Sequence, residues 1–441
     1  MRTISQPVIV PRPNHIVSRA QISDAALKVL YQLMRAGYDA YLVGGGVRDL
    51  LLGRTPKDFD VATNARPEQI KEVFRNCHLI GRRFLLAHVR FGHETIEVAT
   101  FRAAHTKDTE GQGAMEGGRI TLDNVYGTLD QDAWRRDFTV NALYYNIRDF
   151  SVVDFSRGLQ DLEAKVLRIM GEPINRYRED PVRMLRAVRL SSKLGFSIDP
   201  ATEAPISKFG YLLRGIPPAR LFEEVLKLFF GGAAVQTFAQ LKRYGLFTEL
   251  FPLTAKVLTS ETATSFLSMA LSNTDARVAI GKPVTPAFLF ATLLWEPVRK
   301  RMSKLSGLSP LEAIQESADL ILQEQSKRVM IPRRYLLQVQ EIWTTQARFL
   351  TARGKRAKQL SESSRFRAAY DFLLLRVASG EELKRLGEYW TRVEQGGLTG
   401  TTVDEEECEP SPAPELVLPA PAEVITQKKT RRRSPKKPPP V

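Results

Sequence analysis

Two aspartates one residue apart, Asp58 and Asp60, follow closely after three consecutive glycines, Gly44, Gly45 and Gly46. On a strand, side chains two residues apart point the same way, so the two carboxylates would project together and repel each other. A shared divalent cation removes this repulsion, and Mg²⁺ prefers carboxylate oxygens combined with substrate phosphates. The spacing therefore predicts two-metal phosphoryl transfer, with one ion at the attacking oxygen and one at the leaving group.

The elements that must position these groups are short. The apolar run over residues 41–43 predicts a buried strand, and the glycines end it. A helical turn or two is expected over 47–52, followed by a strand at 57–61 that carries both aspartates. Glycines allow a ligand to approach the backbone closely, and a helix N-terminus presents free N–H groups to it. A glycine triplet alone is usually a loop and an Asp-x-Asp pair alone is usually solvated, but their order and spacing favour a triphosphate site.

This stretch resembles the signature of the class II nucleotidyltransferases, the family of bacterial poly(A) polymerases and CCA-adding enzymes, in two runs, GGGVRDLLLG and DFDVAT. The resemblance implies a polymerase-β-like head in which Asp58 and Asp60 bind two Mg²⁺ ions, with Mn²⁺ as a possible substitute. It also implies that ATP is the substrate and that Gly44, Gly45 and Arg48 contact its triphosphate.

A second motif, RRDFT-x-NA, lies at residues 135–142. By itself it is typical of a surface cluster of ion pairs. The resemblance implies that Asp137 is the third carboxylate of the site and that Arg136 and Asn141 help to hold the nucleotide. Glu97 is a rival for the third carboxylate, because it lies on an alternating strand over 95–101, where we expect it to face inward among apolar neighbours.

A third motif begins at Glu179 and Asp180 and continues into a helix that Pro181 is suited to open. Helical spacing predicts that Asp180 and Arg183 share one side, where a carboxylate and a guanidinium can offer acceptors and donors to a base edge. An isolated helix of this kind is as often a plain amphipathic helix. The resemblance assigns Glu179, Asp180 and Arg183 to base selection and makes Arg186 a phosphate contact.

The remaining pattern predicts an α+β head followed by all-helical neck and body domains and a disordered basic tail. Residues 79–89 predict one strand and resemble the segment that separates bacterial poly(A) polymerases from CCA-adding enzymes, and residues 102–120 predict a mobile loop. We expect the following parts: an N-terminal irregular arm (1–21), the nucleotidyltransferase head (22–155), the neck (156–215), the RNA-binding helical body (216–396) and the tail (397–441).

Composition limits the partners of this chain of 441 residues. The net charge of +15 favours a polyanion such as RNA through release of counterions. Two cysteines exclude a disulfide framework and fit a cytoplasmic protein, the five histidines lack zinc-type spacing, and no apolar run is long enough to cross a membrane. The cluster of Lys and Arg at 428–437 predicts non-specific RNA affinity or a solubilising tail.

From these features we expect template-independent addition of AMP from ATP to RNA 3′ ends by a cytoplasmic polynucleotide adenylyltransferase. The alternative within the family is a CCA-adding enzyme acting on tRNA, against which residues 79–89 and the basic tail argue. The alternative of another class is a non-catalytic RNA-binding protein on the same scaffold, against which the intact aspartates and glycines argue. The resemblance makes RNA-decay partners, an endoribonuclease or a helicase bound through the tail, a further hypothesis.

Overall fold

The computed structural model describes residues 6–81, 85–103, 113–116, 119–123, 125–258 and 261–396, with the backbone alone for 113–116, 119–123 and 261–262. All of these described residues belong to one unit. The head contains these elements: β1 (Val8–Val10), α1 (Asp24–Arg35), β2 (Ala40–Val43), α2 (Gly45–Leu51), β3 (Asp60–Thr63), α3 (Pro67–Val73), β4 (Cys77–Ile80), β5 (Leu86–Phe91), β6 (Glu94–Thr100), β7 (Gly113–Glu116), β8 (Arg119–Asp123), α4 (Leu129–Arg135), β9 (Leu143–Asn146) and β10 (Val152–Asp154).

In the described part of the head, eight strands form one mixed sheet in the order β1-β10-β9-β2-β3-β6-β5-β4. Only the β3–β6 pair is parallel there, and the other neighbours run antiparallel. Helix α1 covers one face of this sheet with the apolar stripe that its period predicts, and Ser23 caps its first turn by accepting from the N–H of Ala26 at 3.2 Å. The opposite face is covered in part by α4 and carries the site described below.

Several local predictions for the head are wrong. The arm predicted to be irregular contains β1, which adds an edge strand beside β10. The single strand predicted at 79–89 is a hairpin of β4 and β5, and residues 82–84 lie outside the described residues. The loop predicted at 102–120 includes β7 and the start of β8, which pair with each other, and residues 104–112 lie outside the description. In each case short strands were missed because a few residues give little periodic signal.

The neck is built around one helix that packs on its neighbours along most of its length. Its elements are α5 (Gly158–Glu163), β11 (Val166–Leu167), α6 (Pro173–Glu179), α7 (Val182–Leu194), β12 (Ser197–Ile198) and α8 (Pro200–Phe209). Helix α7 buries Met184, Leu185 and Val188, and Gly195 ends it in the left-handed conformation, with φ of 73°. Its arginines therefore lie on the side that the core does not occupy.

The prediction of an α+β head followed by a helical remainder is confirmed. The body contains α9 (Pro218–Phe229), α10 (Ala234–Arg243), α11 (Leu246–Leu250), α12 (Pro252–Val257), α13 (Glu261–Ala279), α14 (Pro286–Leu293), α15 (Trp295–Met302), α16 (Pro310–Arg328), α17 (Arg333–Thr351), α18 (Gly354–Ser361), α19 (Phe366–Ala378) and α20 (Lys384–Glu394). One apolar core runs from the head sheet through α17 to one side of α19, and a smaller one holds the last helices around Phe349 and Trp390. Among the described helices, none has the length and apolar character needed to cross a bilayer. The predicted tail lies outside the described residues.

Gly158 allows the neck to approach the head closely. It begins α5 beneath a 3₁₀ turn at Thr139–Asn141, and a Cβ at this position would meet the carbonyl oxygen of Thr139 and lie 2.9 Å from Leu143 Cδ2. The same turn is fixed by the Thr139 hydroxyl, which donates to the buried Asp161 at 2.7 Å. Only glycine fits this contact without a backbone shift.

We expect Gly158→Ala to destabilise the protein by about 1–3 kcal/mol, because the added methyl group forces the 3₁₀ turn away from α5. Urea unfolding followed by circular dichroism measures this as a lower midpoint with an unchanged slope.

The matched control is Gly231→Ala, whose Cβ would make only an ordinary contact with the Lys227 carbonyl oxygen at 3.4 Å. Equal midpoints for the two variants would show that the α5 contact is not tight.

Candidate active site

The glycines leave an open space at the end of β2. Gly44 has φ of 74° and ψ of −134°, a conformation that residues with a Cβ rarely adopt, and α2 begins directly after it at Gly45 rather than at the predicted residue 47. A Cβ at Gly44 would lie 3.4 Å from Arg136 Nη1 and 3.9 Å from Asp60 Oδ2. Gly44 therefore keeps a gap between one cationic and one anionic side chain from two other segments.

Asp60 begins β3, and Asp58 precedes the strand rather than lying within it as predicted. Burial, then Glu97, raises the pKa of Asp60 to about 6, and Asp58 adds to this rise while Arg136 and Arg186 oppose it. Asp60 is exposed to solvent, but protein atoms crowd its carboxylate and remove part of its hydration. The charge of Asp58 therefore reaches Asp60, although the two aspartates do not lie on one strand as predicted.

Glu97 does not face inward, contrary to the prediction. It pairs in register with Asp60 across the parallel strands β3 and β6, and its side chain is 49% exposed. Its Oε1 atom lies 3.4 Å from Nε2 of His88 on the next strand. The alternation along β6 was predicted correctly, but the face that carries Glu97 is the open one, because the apolar neighbours Ile96 and Val98 fill the core on the other side.

Arg48 lies on α2 and is only 5% exposed. Its Nη1 atom donates to Asn141 Oδ1 at 2.6 Å, and its Nε and Nη2 atoms donate to Asp49 Oδ1 at 2.8 and 2.7 Å. A Cβ at Gly45 would lie 3.5 Å from Arg48 Nη2, so the guanidinium folds back beneath the start of α2. The structure thus brings together three of the predicted nucleotide contacts, Gly45, Arg48 and Asn141.

Asp137 joins the head to the neck. Its Oδ2 atom accepts from Arg186 Nε at 2.7 Å and also from Nη2, while its Oδ1 atom accepts from Asn141 Nδ2 at 3.2 Å and from the N–H of Phe138 at 2.9 Å. Burial alone would raise the pKa of Asp137, but Arg186 and these hydrogen bonds lower it to about 2. Both oxygens of Asp137 therefore make protein contacts, and its carboxylate is held ionised.

Arg136 is held from behind by two buried residues that the sequence did not indicate. Its Nη2 atom donates to Asp132 Oδ2 at 3.0 Å and its Nε atom donates to the Tyr144 hydroxyl at 2.9 Å. The Tyr144 hydroxyl in turn donates to Asp132 Oδ2 at 2.7 Å. Burial tends to raise the pKa of Asp132, but Arg136 is the largest of the effects that bring it below its usual value. The guanidinium is thereby fixed beside Gly44, with Nη1 toward the gap.

The predicted base-selecting residues belong to two separate groups of contacts, one around Glu179 and one around Asp180. Glu179 Oε2 accepts from Arg183 Nη1 at 2.9 Å and from Arg176 Nη1 at 2.6 Å. Asp180 ends α6, so it is not on the same helix as Arg183, and its Oδ2 atom accepts from Arg220 of α9 at 2.7 Å. Arg176 lies just before the motif and could have been noticed, whereas Arg220 is 40 residues from its partner and carries no local signal.

The residues present fit a divalent cation. Among the described residues, no cluster of three or more His, Cys, Asp or Glu side chains has the geometry of a complete metal site. Mg²⁺, however, is commonly held by one or two carboxylates together with substrate phosphates. Burial first, and then the negative charges of Glu97 and Asp58, raise the pKa of Asp60 to about 6, and a cation bound at this carboxylate would offset both effects.

Three family models match this chain: "Poly A polymerase head domain" over residues 40–168, "Probable RNA and SrmB- binding site of polymerase A" over 195–258 and "Polymerase A arginine-rich C-terminus" over 306–437. Poly(A) polymerase I of Salmonella typhimurium is 46% identical over 92% of this chain and 90% of its own. Poly(A) polymerase I of Escherichia coli O6:H1 is 48% identical over 87% of this chain and 85% of its own.

Among solved structures, the Bacillus stearothermophilus CCA-adding enzyme in complex with CTP is similar, with a TM-score of 0.58 and 27% identity over 84% of this chain and 82% of that chain. The fold, the carboxylates beside the glycine turn and the high identity over nearly the whole chain all agree. The chain therefore belongs to the bacterial poly(A) polymerase family and is a polynucleotide adenylyltransferase.

Proposed function

We propose that this enzyme extends RNA 3′ ends with AMP by two-metal phosphoryl transfer at Asp58 and Asp60. The RNA 3′-hydroxyl oxygen releases its proton to water and forms a bond to the α-phosphorus of ATP, the bond from that phosphorus to the bridging oxygen of the β-phosphate breaks, and pyrophosphate leaves. When bound, two Mg²⁺ ions would supply positive charge that acidifies the hydroxyl and neutralises the leaving group. The single observation that carries this proposal is the Asp60 carboxylate facing Arg136 across the gap at Gly44.

Two arginines suit the triphosphate. Arg136 points Nη1 toward the gap and is held rigidly by Asp132 and Tyr144, so it can meet a developing negative charge without rearranging. Arg48 lies under the same turn and is fixed by Asn141. Because phosphoryl transfer is catalysed mainly by positioning and charge neutralisation, fixed guanidinium groups are the expected partners of the phosphates.

The third carboxylate is open between two candidates, and we propose different roles for them. Glu97 is in register with Asp60 and exposed on the same face, which supports a role beside the metal-binding pair. Asp137 has both oxygens engaged by Arg186, Asn141 and the backbone, which supports a positioning role. On this proposal Asp137 completes the site by placing the two side chains that it binds.

For base selection we propose the Glu179–Arg183 pair, supported on one side by Asp180 and Arg220. A carboxylate oxygen can accept from the exocyclic amine of adenine and a guanidinium can donate to a ring nitrogen. Arg183 Nη1 makes the bond to Glu179 and a second bond to the Arg176 carbonyl at 2.8 Å. Cytosine offers the same amine beside a ring-nitrogen acceptor, so it is the fixed position of the pair, which a purine and a pyrimidine reach differently, that supports selection of adenine without a nucleic-acid template.

We further propose that the products are substrates for RNA decay, with an endoribonuclease or helicase as partner. The match over 195–258 to a family model described as a probable RNA and SrmB-binding site supports an RNA-bound assembly. A pull-down with the full chain that recovers no decay protein would argue against this part.

A CCA-adding activity is the alternative, and the 46% identity to a poly(A) polymerase over 92% of the chain favours adenylation.

We expect Asp58→Asn and Asp60→Asn each to lower kcat by at least about 1,000-fold, since each removes a charge needed for the cations that the transfer requires. Single-turnover extension of a labelled RNA primer with ATP and Mg²⁺ measures the loss.

The matched control is Asp319→Asn, which changes an exposed aspartate of α16 that accepts a hydrogen bond from Gln340, and this substitution is expected to leave the rate unchanged.

Glu97→Gln is expected to raise the Mg²⁺ concentration for half-maximal rate, whereas Asp137→Asn is expected to lower the rate at saturating Mg²⁺. Near wild-type turnover in either Asp58→Asn or Asp60→Asn would contradict the mechanism.

With each of the four nucleoside triphosphates supplied singly, we expect long products on a generic single-stranded RNA with ATP alone. On this proposal the Glu179–Arg183 pair selects the incoming base, so the reaction needs no template. Gel analysis of primer extension reports both product length and nucleotide preference.

The comparison primer in that assay is a tRNA that lacks its terminal CCA. Addition confined to this tRNA, with a requirement for CTP, would overturn the proposed polyadenylation and favour the CCA-adding alternative.

A further inference from the structure

Arg176 occupies the junction between the base-selecting segment and the segment that carries Arg136. It lies on α6, and its Nη2 atom donates to the main-chain carbonyl oxygens of both Arg135 and Arg136, each at 2.7 Å. Its Nη1 atom donates to Glu179 Oε2 at 2.6 Å. One planar guanidinium therefore bonds to Glu179 with one nitrogen and to the backbone of the head with the other.

The second partner of Glu179 tightens this junction. Arg183 Nη1 donates both to Glu179 Oε2 at 2.9 Å and to the carbonyl oxygen of Arg176 at 2.8 Å. Glu179 is thus held by two arginines, one from α6 and one from α7. Arg176 contacts Glu179 through its side chain and contacts Arg183 through its carbonyl group. A shift of Glu179 therefore also displaces the contact between Arg176 and the Arg136 backbone.

The burial of Arg176 indicates that its charge has an unfavourable desolvation free energy at this position. Its side chain is 12% exposed, and burial together with the nearby Arg183 lowers its pKa to about 10. A cation that is removed from water beside another cation is destabilising unless it is hydrogen-bonded to several acceptors. The two carbonyl groups and Glu179 supply those acceptors, and no apolar side chain of similar size could make the same connections.

The far end of the connection reaches the reacting groups. The carbonyl oxygens of Arg135 and Arg136 fix the backbone from which the Arg136 side chain extends toward Gly44 and Asp60. A displacement of this backbone moves the Arg136 guanidinium relative to the triphosphate. Misplacement of a reacting group by about 1 Å lowers rates by about 100-fold in general.

We propose that Arg176 is a specificity-determining positioning residue that couples recognition of the base at Glu179 to the placement of Arg136 at the triphosphate. A base that fits the Glu179–Arg183 pair keeps Arg176 in its present position, and Arg136 is then aligned for transfer. A base that displaces Glu179 releases the backbone contact and misaligns Arg136. This inference rests on the proposed function, because it takes Glu179 and Arg183 as the base-selecting pair.

The test is Arg176→Lys in the full chain, measured by kcat and KM for ATP and for CTP on the same single-stranded RNA primer. Lysine keeps the charge but has one nitrogen, so it cannot bond to Glu179 and to both carbonyl groups in the fork geometry. We expect kcat for ATP to fall by about 100-fold with little change in KM, and the preference for ATP over CTP to fall by about tenfold.

The matched control is Arg178→Lys, two residues away on the same helix, where the guanidinium lies 5.3 Å from the ring centre of Phe209 instead of at the site. It is expected to keep the wild-type preference and rate. Arg176→Gln serves as a second variant that removes the charge but keeps a donor. Thermal unfolding of the wild type and all three variants separates loss of folding from loss of selection.

Each outcome decides the proposal. An equal loss with ATP and CTP, or unchanged kinetics, contradicts the coupling, and unfolding of both Arg176 variants would show that the residue is only structural. The wild-type enzyme in the same assay distinguishes the two levels of inference. If the wild-type enzyme shows no preference for ATP over CTP, the proposed function fails. If the wild-type enzyme prefers ATP and Arg176→Lys keeps the same preference, only the coupling fails.

Discussion

The ion pair between Asp137 and Arg186 is the constraint on which the rest of the site depends. It joins the segment after α4 in the head to α7 in the neck, with Asp137 11% exposed and Arg186 38% exposed. The same segment of the head is also joined to the neck by two backbone bonds, from the N–H of Met170 to the carbonyl of Asp137 and from the N–H of Thr139 to the carbonyl of Arg168, both at 2.9 Å. A carboxylate buried to this extent requires its partner, because an unpaired charge there is strongly destabilising.

From this pair, polar contacts extend to one side of the site, and on the other side the chain itself joins Asp137 to Arg136. On one side Asp137 binds Asn141, and Asn141 accepts from Arg48 at 2.6 Å beneath the glycine turn. On the other side the neighbouring Arg136 is held by Asp132 and Tyr144 and reaches the gap at Gly44. The carboxylates that would hold the metal ions are therefore surrounded by arginines whose positions are set by buried partners, which is the arrangement expected of a preorganised phosphoryl-transfer site.

Much of this site could be predicted from sequence because its motifs are local. The glycines, Asp58 and Asp60 lie within a short stretch, and the resemblance assigned roles to Arg136, Asn141 and Glu179 by position. The α+β head and helical body follow from the periodicity of apolar residues, which is strong in helices.

What sequence could not predict depends on contacts between distant residues. The alternation that placed Glu97 on a strand was correct, but the choice of buried face depends on which side α1 covers. Asp137 was expected to be the third carboxylate of the site, and whether an acidic side chain has a free oxygen is decided by its partners, here Arg186 on another element, which the sequence does not show. The Arg220 contact with Asp180 spans 40 residues and has no periodic signature. The short strands β1 and β7 contain too few residues for a pattern.

The most direct test of this account is a double-mutant cycle between Asp137 and Arg186, with kcat/KM for ATP on an RNA primer measured for Asp137→Asn, Arg186→Gln and the double variant. If the pair holds head and neck in register, each single change removes most of what the other removes, and we expect a coupling free energy of about 2 kcal/mol. Losses that add within about 0.5 kcal/mol would contradict the account, because the two residues would then act independently and the site would not depend on their contact.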